Sequence, residues 1–310
     1  MSYDSSVGMP ESTPHRRSDD RMLDLLSTMA DELMNRPVGD IDAIVYRTLG
    51  GVGEMFGVAR AYVFRFDATT ERMSNTHEWC SVGTSAQIGE LQNVPTEGVP
   101  WWMTRMRAGR MIRLASLDDL PPHATGEREI LEPQGITSLL VLPINYDGKL
   151  LGFVGFDHVR TTHAWTDTEV SMLRVCAAAF ASAFERRSLE RRLELANLVF
   201  AHAREGMFTA DHDGLVTEVN PACESLTGIP AARAIGMHVG MLVRPGAAAE
   251  FSAALARNLE LANRWSTEFV EQYAGRPACP IWVSVSASRG SDGTIQRLVG
   301  VFGRASGEAG

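Results

Sequence analysis

Apolar residues recur at three- and four-residue steps near the start of the chain. Met22, Leu25, Leu26, Met29 and Leu33 share one face, and after Pro37 and Gly39 the rhythm resumes at Ile41, Ile44, Val45, Leu49, Val52, Met55 and Phe56. This spacing predicts two amphipathic helices, the second stopped by Gly57. The period then drops to two. Tyr62, Phe64 and Phe66 alternate with Ala61, Val63 and Arg65, predicting a strand over 59–67. A turn at 68–71 leads to a second strand over 72–80 with Met73, Asn75, His77 and Trp79 on one side. From Ser81 to Pro122 no period holds; Trp101-Trp102 precede a short helix ending near Gly109, and 111–114 reads as a short strand. One helical turn at 127–132 comes before Gly135, and strands over 137–144 and 150–157 flank an Asp147-Gly148 hairpin turn.

Thr166 and Glu169 form a capping-box signal, and no Pro or Gly follows from Thr168 to Arg204. That allows about thirty-five helical residues, roughly 55 Å at 1.5 Å each. Leu173, Cys176, Phe180 and Ala183 step by three and four, as do Leu189, Leu193, Ala196 and Phe200, but the two runs are out of phase. We read Leu173, Cys176, Phe180, Leu189, Leu193 and Phe200 as a dimerising face; the alternative is one helix packed on its own domains. Strands are next expected at 207–210 and 215–219 around Asp213-Gly214, with Leu215, Thr217 and Val219 on one face. Asn220-Pro221 caps and opens a helix ended by Gly228. A longer helix carrying Phe251, Leu255, Leu259 and Leu261 precedes strands at 267–273, 278–288 and 294–302.

Residues 203–236, with their turn, cap and helix stops, closely resemble the first half of a PAS domain. Residues 60–67, 135–144 and 152–157 look like a GAF domain of the subgroup found upstream of PAS, cyclase or kinase modules in bacterial regulators. The resemblance implies an α+β chain of two sensor domains, each an antiparallel sheet flanked by helices, joined by a long helix. The expected boundaries are a disordered leader at 1–19, a GAF-like domain at 20–185, a signalling helix at 168–204, a PAS-like domain at 198–304 and a tail at 305–310. It also implies a ligand cavity on one sheet face of such domains. Tyr62, Phe64, Asn75, His77, Trp79, Trp101 and Trp102 are candidates for the first cavity. Phe208, Asn220, Trp265, Phe269 and Trp282 are candidates for the second, with Asn220 expected to cap its helix. In both places, plain core packing is the alternative reading.

Composition narrows the function. The 310 residues are 45% hydrophobic and 22% charged, ordinary for a globular chain, and the formal net charge of −9 disfavours nucleic acid. Arg186, Arg187, Arg191 and Arg192 interleave with Glu185, Glu190 and Glu194 and read as a solvated helix face. Four scattered cysteines, Cys80, Cys176, Cys223 and Cys279, offer neither a zinc nor a disulfide framework, and no apolar run reaches membrane-spanning length. The chain is therefore expected to be cytoplasmic. No phosphate-binding loop, His-Glu-x-x-His or Gly-x-Ser-x-Gly occurs, and the Asp118-Asp119 and Asp211-His212-Asp213 clusters read as turns. Compared with family members that bind heme, flavin or bilin, the chain lacks a heme His on the long PAS helix, a flavin Asn-Cys-Arg-Phe-Leu run and a placed bilin Cys. No cofactor is assigned. The expectation is a non-enzymatic sensor that binds a small molecule or senses redox state. It would act as a homodimer through a downstream partner. One alternative is the sensor part of a diguanylate cyclase or histidine kinase whose output domain is missing. Another is a GAF-type methionine sulfoxide reductase, for which the cysteines are not clustered.

Overall fold

The computed structural model describes residues 14–273 and 275–305, and the chain divides into two units after Glu190. Helix α1 (Pro14–Asn35) begins inside the stretch read as leader; residues 1–13 of that leader and 306–310 of the predicted tail lie outside the described residues. Helix α2 (Ile41–Phe56) buries Ile41, Ile44, Val45, Leu49 and Val52, the face its periodicity predicts.

Strands β1 (Arg60–Phe66), β2 (Arg72–Cys80), β3 (Val94–Pro95), β4 (Ile112–Leu114), β5 (Ser138–Tyr146) and β6 (Lys149–His158) form one antiparallel sheet in the order β3-β2-β1-β6-β5-β4. The β5–β6 hairpin turns on Asp147 and Gly148, both at positive φ (46° and 75°), the geometry a two-residue hairpin needs to match strand twist. β1 is buried on both sides. Ala61 and Val63 join a core with α1, α2 and the long helix α5 (Asp167–His202), which packs Leu173, Cys176 and Phe180 onto the sheet. Tyr62, Phe64 and Phe66 join a second core covered by α3 (Pro100–Arg107) and α4 (Thr125–Leu131). The capping box opening α5 is formed: Thr166 Oγ1 accepts from Glu169 N–H at 3.2 Å, and Glu169 Oε2 accepts from Thr166 N–H at 2.6 Å.

The single-sided reading of β2 fails. Val63 pairs with His77 and Phe64 with Asn75, leaving Thr76 as an extra residue. Such a bulge shifts the alternation by one position, so Met73 and Asn75 face the α3–α4 side while His77 and Trp79 face α2 and α5.

In the C-terminal unit, β7 (Gly206–Asp211), β8 (Val216–Val219), β9 (Arg264–Glu271), β10 (Cys279–Arg289) and β11 (Ile295–Arg304) form an antiparallel sheet ordered β8-β7-β11-β10-β9. Phe208, Ala210, Ile281, Val283, Val285 and Phe302 bury one face against α6 (Pro221–Thr227), α7 (Ala231–Ala234), α8 (Val239–Val243) and α9 (Ala248–Leu261). A second bulge, at Thr217, moves the pairing from Thr209–Glu218 to Ala210–Val216. Val216 is therefore buried and Leu215 exposed, the reverse of simple alternation.

Gly152 of β6 sits where a Cβ would collide with the Phe64 carbonyl and the Arg65 backbone. Gly152→Ala is expected to destabilise the N-terminal unit by about 1–3 kcal/mol, read by denaturant unfolding with Trp fluorescence. Gly39→Ala, where a Cβ meets nothing, should stay within about 0.5 kcal/mol of the parent.

Candidate functional site

Tyr62 and Phe64 project from β1 toward α3 and α4, and Phe153 of β6 stacks on Phe64 with ring centres 4.7 Å apart. Trp102 closes on Phe153 at 5.4 Å from the buried face of α3. Gly155 leaves room for the Tyr62 ring, which a Cβ there would approach within 2.6 Å. These rings surround a cavity of about 50 Å³, counted as space open to the centre of a water molecule, enough for a few waters or a compact organic molecule.

Its polar lining comes from several elements. Arg60 at the start of β1 donates from Nε to both carboxyl oxygens of Asp157 on β6, each at 3.0 Å, with both side chains 2% exposed. Burial raises the Asp157 pKa to about 6, with Arg60 working against it. Burial, with Asp157 close by, likewise lifts the Tyr62 hydroxyl well above its ordinary value. Asn75 Nδ2 donates to Glu78 Oε1 at 3.1 Å, while Glu78 Oε2 accepts from the backbone N–H groups of Gln87 and Ile88 at 2.7 and 3.0 Å. Glu78 thereby ties the 81–93 segment to β2. On α4, Glu127 Oε1 accepts from Trp102 N–H at 2.9 Å. Four buried atoms of this lining, Arg60 Nη2, Asn75 Oδ1, Trp102 Nε1 and Glu127 Oε2, have no hydrogen-bond partner among the described residues. Leaving a buried polar group without a hydrogen bond costs about 1–3 kcal/mol each, so these four atoms are the least satisfied part of the lining.

Of the candidates read from sequence, Tyr62, Phe64, Asn75 and Trp102 meet at this cavity. Trp101 does not; it lies half-buried with the Arg105 guanidinium 4.8 Å over its ring. His77 and Trp79 are on the opposite sheet face because of the bulge. Trp79 packs on α2 at Gly50 and Gly53, where any Cβ would press on its indole. His77 Nε2 pairs with Asp42 of α2 at 3.0 Å and Nδ1 with Thr76 Oγ1 at 2.9 Å, and its ring lies 6.2 Å from Phe184 of α5. Arg187 Nη1 donates to the same Asp42 oxygen at 2.5 Å, and Arg186 donates to the Met34 and Arg36 carbonyls. Arg186 and Arg187 are thus ties between helices rather than a solvated face. Arg60, Glu78, Glu127 and Asp157 escaped the sequence reading. Their signal was charge inside apolar patterns: Arg60 and Asp157 at ends of buried strands, and Glu127 three and four residues before Ile130 and Leu131.

The C-terminal candidates do not share one face. Phe208 is core, against Gly300 and Phe302. Trp265 and Phe269, both on β9, rim that core beside Phe251, at 5.3 and 6.0 Å. Trp282 lies on the reverse side of β10 from Ile281 and Val283, alongside Gly303. Asn220 is fully committed to the backbone. Its Oδ1 accepts from Met207 and Cys223 N–H at 2.8 and 2.9 Å, and Nδ2 donates to the Phe200 and Glu205 carbonyls at 3.1 and 2.9 Å. It caps α6, as expected, and has no capacity left for a ligand.

The helix candidates split similarly. Leu173, Cys176 and Phe180 are buried in the core of their own unit, so they are not a seam open to a second chain. Leu189 and Leu193 are 53% and 62% exposed, and Phe200 is half-buried. The thiols are free, and burial raises Cys80 to about 11 and Cys176 and Cys223 to about 12. Among the described residues no three His, Cys, Asp or Glu side chains gather as a metal site, and no helix is long and apolar enough to cross a membrane.

Two family models match the chain in series: the GAF domain over residues 40–184 and the PAS fold over residues 194–305. The chain is 30% identical over 191 residues to the methanogenesis regulatory histidine kinase FilI of Methanothrix harundinacea; the match covers 56% of this chain and 21% of that protein. The chain thus spans about a fifth of that relative's length. Its fold is similar to the GAF domain of a phosphoenolpyruvate-protein phosphotransferase from Coxiella burnetii (TM-score 0.46, 18% identity, 56% of this chain and 98% of that one). It is also similar to the PAS domain of a protein from Colwellia psychrerythraea (TM-score 0.34, 19% identity, 36% and 96%).

Burial lowers the His77 pKa, against the opposing pull of Asp42. The unfolded chain therefore binds the proton more readily, so this contribution to stability is full above about pH 6.5 and is lost as pH falls through the lower folded value. His77→Gln should flatten the fall in melting temperature between pH 7 and 5; an unchanged slope would refute the coupling. Asn220→Ala removes a cap and orphans buried backbone groups, and is expected to cost about 2–4 kcal/mol in the C-terminal unit, measured by denaturant titration of residues 191–305 within the full chain by hydrogen exchange.

Proposed function

We propose that this chain, which carries a GAF domain followed by a PAS domain, is a non-catalytic sensory and regulatory module that binds a small molecule in its N-terminal unit. Two sensory domains in series give it a role as a signalling sensor. The finer reading rests on one observation: an aromatic-lined cavity with buried polar atoms that lack partners among the described residues. Strand β2 supplies both Asn75 to that cavity and, across the Thr76 bulge, His77 to the Asp42–Arg187 contact on α5. A ligand that repositions Asn75 and Glu78 would bear on the root of α5, which continues to His202.

The relay we favour is a homodimer in which α5 meets its twin beyond Glu185, where Leu189 and Leu193 are exposed at a four-residue step. Signal then passes to an output domain or a separate signalling protein, in the cytoplasm. The likeness to part of a regulatory histidine kinase favours kinase output. Raised thiol pKa values favour binding over thiol-based reduction of methionine sulfoxide.

Protein purified from its host should carry an added mass in native mass spectrometry that denaturation releases. A bare protein under both conditions counts against the ligand reading. Light scattering after size exclusion should report a dimer for the parent and a monomer for the Leu189→Glu/Leu193→Glu variant; a parental monomer would remove the relay.

A further inference from the structure

We propose that the N-terminal cavity receives a compact α-amino acid in zwitterionic form. Its ammonium would donate to Glu127 Oε2 and Asn75 Oδ1, and its carboxylate would accept from Arg60 Nη2 and Trp102 Nε1. This rests on the ligand-binding reading above. The four unpartnered atoms divide evenly by chemistry. Arg60 Nη2 and Trp102 Nε1 can only donate. Asn75 Oδ1 accepts, since the bond from Nδ2 to Glu78 fixes which way the amide faces. Glu127 Oε2 is a carboxyl oxygen whose twin already holds the Trp102 N–H. Arg60, Asn75 and Glu127 are each 1% exposed and Trp102 6%, so bulk water does not satisfy them.

Charge selects the cation. At formal charges, Arg60 answers Asp157, and Glu78 is held by the Asn75 amide and two backbone N–H groups. Of the lining acids, Glu127 finds neither a cation nor a full set of donors among the described residues, and a buried acid of this kind favours a positive partner. A simple amine would leave Arg60 and Trp102 unpaired, and a simple carboxylic acid would leave Glu127 and Asn75 unpaired. A zwitterion answers all four, and the small cavity restricts it to a compact side chain.

The full chain would be screened against the protein amino acids by thermal shift. The best would then be titrated calorimetrically beside its decarboxylated amine and its deaminated acid; for valine these are isobutylamine and isovalerate. The expected result is binding by the amino acid, at least about 100-fold weaker binding by either half, and a loss of about tenfold or more in Glu127→Gln. Trp102→Phe, which keeps the ring and removes the donor, should weaken the deaminated acid and the amino acid alike. Equal binding of a half-molecule, or retention of a host molecule lacking an amine while no amino acid binds, overturns this ligand class and leaves the sensor reading standing. No binding by any amino acid, together with a bare protein from the host, overturns both.

Discussion

The N-terminal unit depends on a sheet that has to bury both faces. In β1 every second residue serves a different core: Ala61 and Val63 pack under α2 and α5, while Tyr62, Phe64 and Phe66 pack under α3 and α4. A charge at the end of such a strand cannot escape to water, so Arg60 is held by Asp157 across the β1–β6 ladder. Removing one member would leave the other uncompensated, which costs more than the pair itself contributes. The two cores differ in how they close. Long helices supply enough aliphatic length to fill the first, whereas α3, α4 and the irregular segments around them leave an interior space at the second. The candidate site is thus the less complete of two coverings over one sheet.

Bulges decide which chemistry reaches which covering. Without the extra residue at Thr76, Asn75 and His77 would point the same way, and β2 could not touch both the cavity and the Asp42–Arg187 contact. The insertion makes one strand answer to two environments within three residues. In the C-terminal unit, Thr217 does the comparable thing, turning Val216 inward just before Asn220 collects four backbone groups at the corner into α6. Both bulged residues are threonines, and at Thr76 the hydroxyl bonds the Val63 carbonyl across the ladder at 3.2 Å.

Much of the architecture was legible because it rests on local rules. Helix periodicity placed the buried face of α2, the Thr166–Glu169 pair announced the start of α5, and Asp147-Gly148 and Asn220-Pro221 marked a turn and a cap through their own backbone preferences. The aromatic half of the site was legible for the same reason, since Tyr62 and Phe64 sit at period two in a clear strand. Its polar half was not. Glu127 lies in a short helix whose one-turn pattern gives no sign that the acid is buried, and Glu78 owes its place to a bulge that no alternation reports. The long helix was misjudged similarly. Its first apolar run fills the core of its own unit, and the residues left exposed lie beyond it.

By itself the sequence determined where helices, strands and turns form, because those outcomes follow from spacing and backbone preference over a few neighbouring residues; that they make two sensor-type folds in series was implied by the resemblance of its motifs to GAF and PAS domains. The tertiary structure alone decided which face each side chain serves beyond a bulge, which buried charges find partners and which are left without one among the described residues. Those outcomes depend on pairings between residues as distant as Arg60 and Asp157, and on the desolvation that only packing imposes.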